Sequence, residues 1–425
     1  MDLASKLFKG DRVIWIIFMF LCLISVVEVF SATSTIAYKN ANYWAPIIRH
    51  ATFLVVGFFF VLIIHNLPIR FSVILGLLLP VAIFLLLITP FIGVEINGER
   101  RWLNILGITF QPSEIAKLCS VCYMALVLSR RNVLTSKQMF WYILIGVGIT
   151  CTCILYNNGS TAILLGMIML MMMFIGQVGA KRILIVIGIG ISAILLVWSV
   201  YKLAPDTVSK FLPRIYTWIA RFDRHSDNER FAEGTEEKTW VLDMDEHYQE
   251  DLAKIAIAQG GILGKLPGHG QQRDFLPQAY SDFIYAIIIE ETGLAGGFFV
   301  LLLYLTLLIR VAMIARRCEK LFPKFLILGC GLMLVTQALI NMAVAVGVFP
   351  VTGQPLPLIS RGGTSTVISC FYIGIILSVS RFGANIGNED DLLPEEKAEP
   401  NAGVIGETPL QSANLDPALQ ESKPI

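Results

Sequence analysis

The sequence predicts an all-α integral membrane protein, with about ten transmembrane helices and a long extracytoplasmic loop between the seventh and eighth. Three observations lead there. Of 425 residues, 55% are hydrophobic and only 15% charged, too few charges to cover that much apolar surface in water. Apolar runs of about 18 to 25 residues recur along the chain, each able to cross a hydrocarbon core of about 30 Å. Lysine and arginine also sort into alternate connections, as expected when cationic segments resist export.

The predicted spans are 13–32, 48–65, 71–94, 113–129, 139–156, 160–178, 183–202, 284–310, 324–348 and 364–381. One set of connections carries Lys6, Lys9, Arg12, Arg70, Arg130, Arg131, Lys137, Lys181, Arg182, Arg310, Arg316, Arg317, Lys320 and Lys324. The other set holds Lys39, Arg49, Arg100, Arg101 and Arg361. The first set is therefore expected in the cytoplasm, and an even number of spans puts both termini there. The N-terminal stretch runs into the first span without a small-residue cleavage site and reads as an uncleaved anchor. Residues 1–383 form the membrane domain, with 203–283 as its large extracytoplasmic loop. Within that loop, 249–266 has helical apolar spacing ended by Gly260, Gly261 and Gly264, predicting a helix at the membrane surface. The acidic segment 384–425 is expected to be a disordered cytoplasmic tail.

Several function classes are disfavoured. A formal net charge of +1 offers no footprint for nucleic acid. All eight cysteines fall in apolar runs or at their edges, and Cys119 and Cys122, although spaced CxxC, read as buried thiols. The apparent lack of an internal repeat counts mildly against a secondary transporter.

An ionisable group in a span costs a few kcal/mol and persists when it is paired, faces a cavity or works. Glu114 and Lys117 stand at i and i+3 at the start of the fourth span, as a structural ion pair or as the lining of a polar pocket. Just before them, Arg100 and Arg101 precede Trp102. The tryptophan suits the membrane interface, and guanidinium groups suit bidentate contact with phosphate. Asp282 opens the eighth span, where it can cap the helix or act chemically. Glu290 and Glu291 lie two turns further on; two adjacent carboxylates cannot share a face, so at least one needs a partner. Glu28 and His65 are read as structural. Residues 349–365 carry three prolines and three glycines yet are apolar, predicting a partly buried re-entrant stretch lining a cavity.

Three segments together resemble the SEDS family of cell-wall polymerases, which includes FtsW, RodA and SpoVE. They are NGERRWLNILGITFQPSEIAKL (97–118), LPQAYSDFIYAIIIEETG (276–293) and FPVTGQPLPLISRGGTS (349–365), in family order within a ten-span layout. The resemblance implies a peptidoglycan glycosyltransferase that polymerises lipid II into glycan strands. It matches Asp282 to the family's essential aspartate, and Arg101, Glu114 and Lys117 to polar positions of its central cavity. Arg100, Arg273, Gln354 and Ser360 complete the expected substrate-binding set. The chain departs from the family at Gln278, Tyr280 and Ser281, where LPEAHTDF is usual, at Asn158, where PDLGT has aspartate, and at Arg361, commonly tyrosine.

The implied reaction joins a sugar hydroxyl of one lipid-linked disaccharide to the anomeric carbon of another and expels undecaprenyl pyrophosphate. Asp282 would take the hydroxyl proton. Arg101, Lys117 and Arg273, or a divalent cation such as Mg or Mn, would meet the charge of the leaving phosphates. No organic cofactor is implied. The family further implies membrane lipid, a class B penicillin-binding protein and other divisome proteins as partners. Localisation is expected in the cytoplasmic (inner) membrane, at the division septum. A lipid II flippase, a non-catalytic scaffold and an elongation-type RodA-like polymerase are the alternatives. The wording QPLPLISRGGTS and the acidic tail favour the division type.

Overall fold

The computed structural model describes residues 8–33, 44–96, 99–105, 107–203, 248–276 and 279–382. Among them the chain is a multi-pass bundle whose helices follow the predicted spans closely. They are α1 (Arg12–Ala32), α2 (Ala45–Ile64), α3 (Arg70–Leu77) continuing as α4 (Leu79–Ile92), α5 (Pro112–Ser129), α6 (Ser136–Asn157), α7 (Gly159–Ile175) and α8 (Ala180–Leu203). After the loop come α9 (Tyr248–Gly260), α10 (Ile284–Arg317), α11 (Leu321–Ala345) and α12 (Thr364–Phe382). Nine segments of the described chain are long and apolar enough to cross a membrane, α3 and α4 counting as one. The shorter apolar α7 is the tenth. At 1.5 Å per residue it rises about 25 Å, which a modest thinning of the bilayer accommodates.

The bundle is built around α5, the most thoroughly buried of the spans, which packs against α3, α4, α6 and α11. In a bilayer the apolar face of a helix gains nothing by hiding, so polar groups mark the interior. The fully buried Lys117 on α5 and the buried Gln337 and Asn341 on α11 mark it here. At the opposite extreme α8 touches mainly α7 and buries no residue of its membrane-crossing window. Cys119 and Cys122 are buried free thiols, and no cysteine is in a disulfide. His65 is fully buried, with its ring edge-on to Trp15 at 5.5 Å and Nδ1 3.0 Å from the Val61 carbonyl, a packing role.

Two features depart from a plain helix-and-loop reading. Three short strands, β1 (Val94–Ile96), β2 (Glu99–Ile105) and β3 (Ile108–Phe110), form a small antiparallel meander. In it Val94 faces Trp102, and Leu103 faces Phe110. The meander delivers the chain to Pro112, the first residue of α5, where proline's missing N–H costs nothing.

The second feature is a break in α10. Gly293 has φ 75° and ψ −179°, outside the helical region. Residues 294 to 317 alone rise about 36 Å, enough to span, so the turns before Gly293 form a separate short helical piece. Across the break, 261–266 pairs with the α10 backbone. Leu294 N–H donates to Gly261 O at 2.9 Å, and Leu266 N–H donates to Glu291 O at 2.8 Å. The predicted helix over 249–266 is present only as far as Gly260, as α9, which packs on α10, and 261–266 is not helical. Most of the expected loop, 204–247, and the expected acidic tail, 384–425, lie outside the described residues.

Candidate active site

The site starts from α5. Glu114 sits in its first turn, where helix N–H groups favour negative charge. One turn on, Lys117 Nζ lies 2.8 Å from Glu114 Oε1, with 1% and 8% of the two side chains exposed. A buried ion pair needs its remaining donors satisfied. Lys117 Nζ also donates to Gln337 Oε1 at 3.1 Å. Gln337 and Asn341 are four residues apart on α11 and so share one face. That face carries the polar interactions from α5 to the proline-rich segment.

Residues 346–363 run without regular helix after α11, and their turn at Leu356 to Ser360 is nearly fully buried. Unpaired backbone at this depth is costly, so the question is where its polar groups go. Asn341 Nδ2 donates to Gln354 O at 2.7 Å, and Gln337 Nε2 donates to Pro355 O at 3.0 Å. Tyr304 on α10 donates its hydroxyl to Pro357 O, and Ser25 on α1 donates to Ile359 O at 2.7 Å. Ser25 Oγ in turn lies 2.8 Å from His50 Nε2. Four side chains from three helices therefore hold four carbonyls of a segment that proline bars from helix.

Asp282 is fixed by the same frame. The second hydrogen of Asn341 Nδ2 goes to Asp282 O at 2.8 Å, so one amide group ties the aspartate's main chain to Gln354. Ser281 Oγ donates to Asp282 Oδ1 at 2.9 Å. Ser360 Oγ donates to Ser281 O at 2.6 Å and accepts from Leu356 N–H at 2.8 Å. Gly353 has φ +63°, and a Cβ there would stand 3.6 Å from Asp282 Oδ2, so the segment passes directly across the carboxylate. Capping does not account for Asp282. The helix starts at Ile284 with Phe283 in the cap position and no side-chain cap.

The structure thus joins Asp282, Gln354, Ser360, Lys117 and Glu114 through one set of hydrogen bonds. Gln354 and Ser360 are buried, 3% and 2% exposed, and brace the segment. Gln354 Nε2 donates to Thr161 Oγ1 at 2.8 Å, and Thr161 N–H donates to Asn158 Oδ1 at 3.3 Å. Asn158, standing where the family has aspartate, caps α7. It also lines a small cavity with Arg101, Gln111 and Ser113, about 10 Å³ and so the size of one water. Arg101 therefore reaches the network from the β2 side.

The other two predicted arginines lie elsewhere. Arg100 forms an exposed pair with Glu95 at 3.4 Å. Arg273 donates to Ser31 Oγ at 2.6 Å and lies 3.6 Å from Glu291 Oε1, inside a cluster that answers the adjacent glutamates. Glu291 also accepts from Ser31 Oγ, whereas Glu290 accepts from Lys265 Nζ at 3.2 Å and from Gln271 N–H at 2.8 Å. Each glutamate has its own cation. Arg273 belongs with Glu291 because the break at Gly293 lets 261–276 wrap the short piece of α10.

Sequence reasoning missed Gln337, Asn341, Thr161, Tyr304 and Ser25 as parts of the site. The available signal was an amide pair at i and i+4 inside an otherwise apolar span. As for a divalent ion, among the described residues no three His, Cys, Asp or Glu side chains converge as ligands. Glu114 is paired with Lys117.

Comparisons with known proteins agree with this architecture. A family model described as "Cell cycle protein", covering FtsW, RodA and SpoVE, matches residues 11–385. A protein from Saccharophagus degradans named "Probable peptidoglycan glycosyltransferase FtsW" is 31% identical over 374 residues, 84% of this chain and 89% of the relative. One of the same name from Haemophilus influenzae is 33% identical, over 70% and 71% of the two chains. The fold is similar to a chain of a peptidoglycan synthase complex, with TM-score 0.66, 22% identity and coverage of 88% and 99%. It is also similar to Thermus thermophilus RodA, with TM-score 0.61, 22% identity and coverage of 88% and 97%. With its three motifs brought together by one polar frame and the family model spanning nearly all its helices, the chain belongs to the FtsW/RodA/SpoVE family.

Proposed function

We infer that this protein is a peptidoglycan glycosyltransferase of the FtsW type, polymerising lipid II into glycan strands during cell division. The observation that carries the mechanism is Asp282. Its carboxylate is half-buried beside Gly353, and its main chain is tied through Asn341 to the segment that also anchors the Lys117 charge.

Glycoside chemistry usually needs an acid to protonate a poor leaving group as well as a base. A diphosphate leaves readily once its charge is met, so one base and nearby cations suffice. Asp282 accepts the proton of the acceptor sugar hydroxyl as that oxygen bonds to the anomeric carbon of the second lipid-linked disaccharide. The bond from that carbon to the diphosphate oxygen breaks, and the electron pair leaves with the lipid diphosphate. Attack from the opposite face inverts an α linkage to β. Arg101 and Lys117 supply fixed positive potential that needs no reorganisation during the step. Because Lys117 is fully buried, its charge acts through the site's field, and Arg101 is the candidate for direct contact.

The loop charges orient the site toward the extracytoplasmic face of the cytoplasmic membrane, with both termini inside. A class B penicillin-binding protein is the fitting partner, since the fold resembles a chain from a complex described as coordinating polymerisation and crosslinking. Septal placement follows from the FtsW type. Purified protein given lipid II should make glycan strands, and Asp282→Ala and Asp282→Asn should abolish them. Lipid movement between leaflets without polymer would instead favour a flippase.

A further inference from the structure

Two departures from the family pattern meet in space. Tyr280 stands where the family has histidine, and Arg361 where tyrosine is common; they lie in different motifs. In the structure the Arg361 guanidinium rests over the Tyr280 ring, Cζ 5.1 Å from its centroid. Arg361 N–H also donates to Tyr280 O at 2.9 Å. The ring is a shelf for a permanent cation.

That cation is poorly compensated. Burial lowers the Arg361 pKa from its usual value; Tyr280 opposes the shift, and the like charge of Arg49 adds to it. Among the described residues neither Arg361 nor Arg49 has an ion pair, and the Arg361 guanidinium donates no hydrogen bond. A half-buried guanidinium that feels the like charge of a second one favours a nearby anion. Its planar fork fits phosphate oxygens better than a point charge does.

The surroundings indicate what carries the anion. Arg49 is near the N-terminal end of α2, with the exposed Trp44 in the preceding turn, a pairing suited to the membrane interface. Phe53, one turn further along, reaches Gly363 beside Arg361. From there Val55 and Phe59 on α2 are more than half exposed, a face for hydrocarbon. A phosphate at the arginines and an apolar chain along α2 describe a single amphiphile.

We propose that Arg361, shelved on Tyr280, and Arg49 form a binding site for the phosphate group of an anionic membrane lipid. It goes beyond the glycosyl-transfer reading, although Tyr280 stands only two residues before Asp282 in the chain. The lipid phosphate has two sources, a polyprenyl diphosphate or a glycerophospholipid headgroup.

The test is binding measured by native mass spectrometry on the full-length protein, titrated separately with undecaprenyl diphosphate, phosphatidylglycerol and uncharged undecaprenol. Arg361→Gln should weaken one or both phosphate lipids by about tenfold and leave undecaprenol unchanged. A loss confined to undecaprenyl diphosphate assigns the site to that lipid, and a loss confined to phosphatidylglycerol assigns it to a headgroup. Arg49→Gln, at an exposed helix end, should shift the same lipid and carries the test if Arg361→Gln does not fold. Curves for all three lipids that overlie wild type in both variants overturn the proposal, as does an equal loss for undecaprenol. Because binding is read without turnover, the outcome is independent of whether Asp282 supports polymerisation.

Discussion

Replacing Lys117 by Met leaves Glu114 charged inside the bundle with its partner gone. The pair is 2.8 Å apart, and the two side chains are 1% and 8% exposed. At an effective dielectric constant of about 20, Coulomb attraction at that distance is worth about 6 kcal/mol. Desolvation of both charges offsets much of it, so the net value of the pair is far smaller than the cost of breaking it. Removing one partner from a buried pair costs about 3–5 kcal/mol, and the Gln337 acceptor loses a charge-assisted bond as well. Glu114→Gln should cost a similar amount. The double variant Glu114→Gln/Lys117→Met removes both charges and should recover most of the stability. Denaturant unfolding of the purified protein in one detergent gives all four values of the cycle, and lipid II polymerisation is measured on the same samples. The double variant should be stable yet nearly inactive, because the positive potential is gone. Single variants within about 1 kcal/mol of wild type, or a double variant whose loss is the sum of the singles, would refute the reasoning.

Asn341→Leu should keep the helix but strand the carbonyls of Asp282 and Gln354. The expected result is a fall in kcat of about tenfold or more with KM little changed, measured by continuous polymerisation assay, and a parallel rise in KM would point to a binding role instead. Gly293→Ala meets two obstacles, φ +75° and a Cβ 2.2 Å from Ile262 O. It should destabilise by about 1–3 kcal/mol or more in the same unfolding assay, whereas a neutral result would show that 261–266 moves freely.

The spans were legible because a bilayer imposes length and apolarity directly. The predicted limits fall within about three residues of the helices except for α10, which runs on to Arg317. The β1–β3 meander was not, because strands of three to seven residues carry little periodicity and pair only when the turns bring them together. Asp282, Glu114 and Lys117 stood out in sequence because charges in apolar runs need reasons. Gln337 and Asn341 are neutral and raised no such alarm, yet they join the charged groups to one another. Arg273 was grouped with the phosphate-binding cations from its place in the chain. Its actual neighbours, Ser31 and Glu291, depend on the break at Gly293, a backbone event that the sequence marks only by one glycine among many.

The irregular segment explains how the carboxylate proposed as the base can be held still in a protein whose helices have no hydrophobic force pressing them together. Proline removes N–H donors and fixes φ, so 350–357 enters the fold with fewer conformations to lose. Its carbonyls then need donors, which the membrane cannot supply and Ser25, Tyr304, Gln337 and Asn341 do. These donors sit on three different helices, so slack in one position is resisted by the others. Asp282 inherits that rigidity through Asn341, which holds its carbonyl, through Ser360, which holds the Ser281 carbonyl, and through the Ser281 hydroxyl on its carboxylate. The backbone beneath the carboxylate is therefore preorganised, the arrangement that electrostatic catalysis requires.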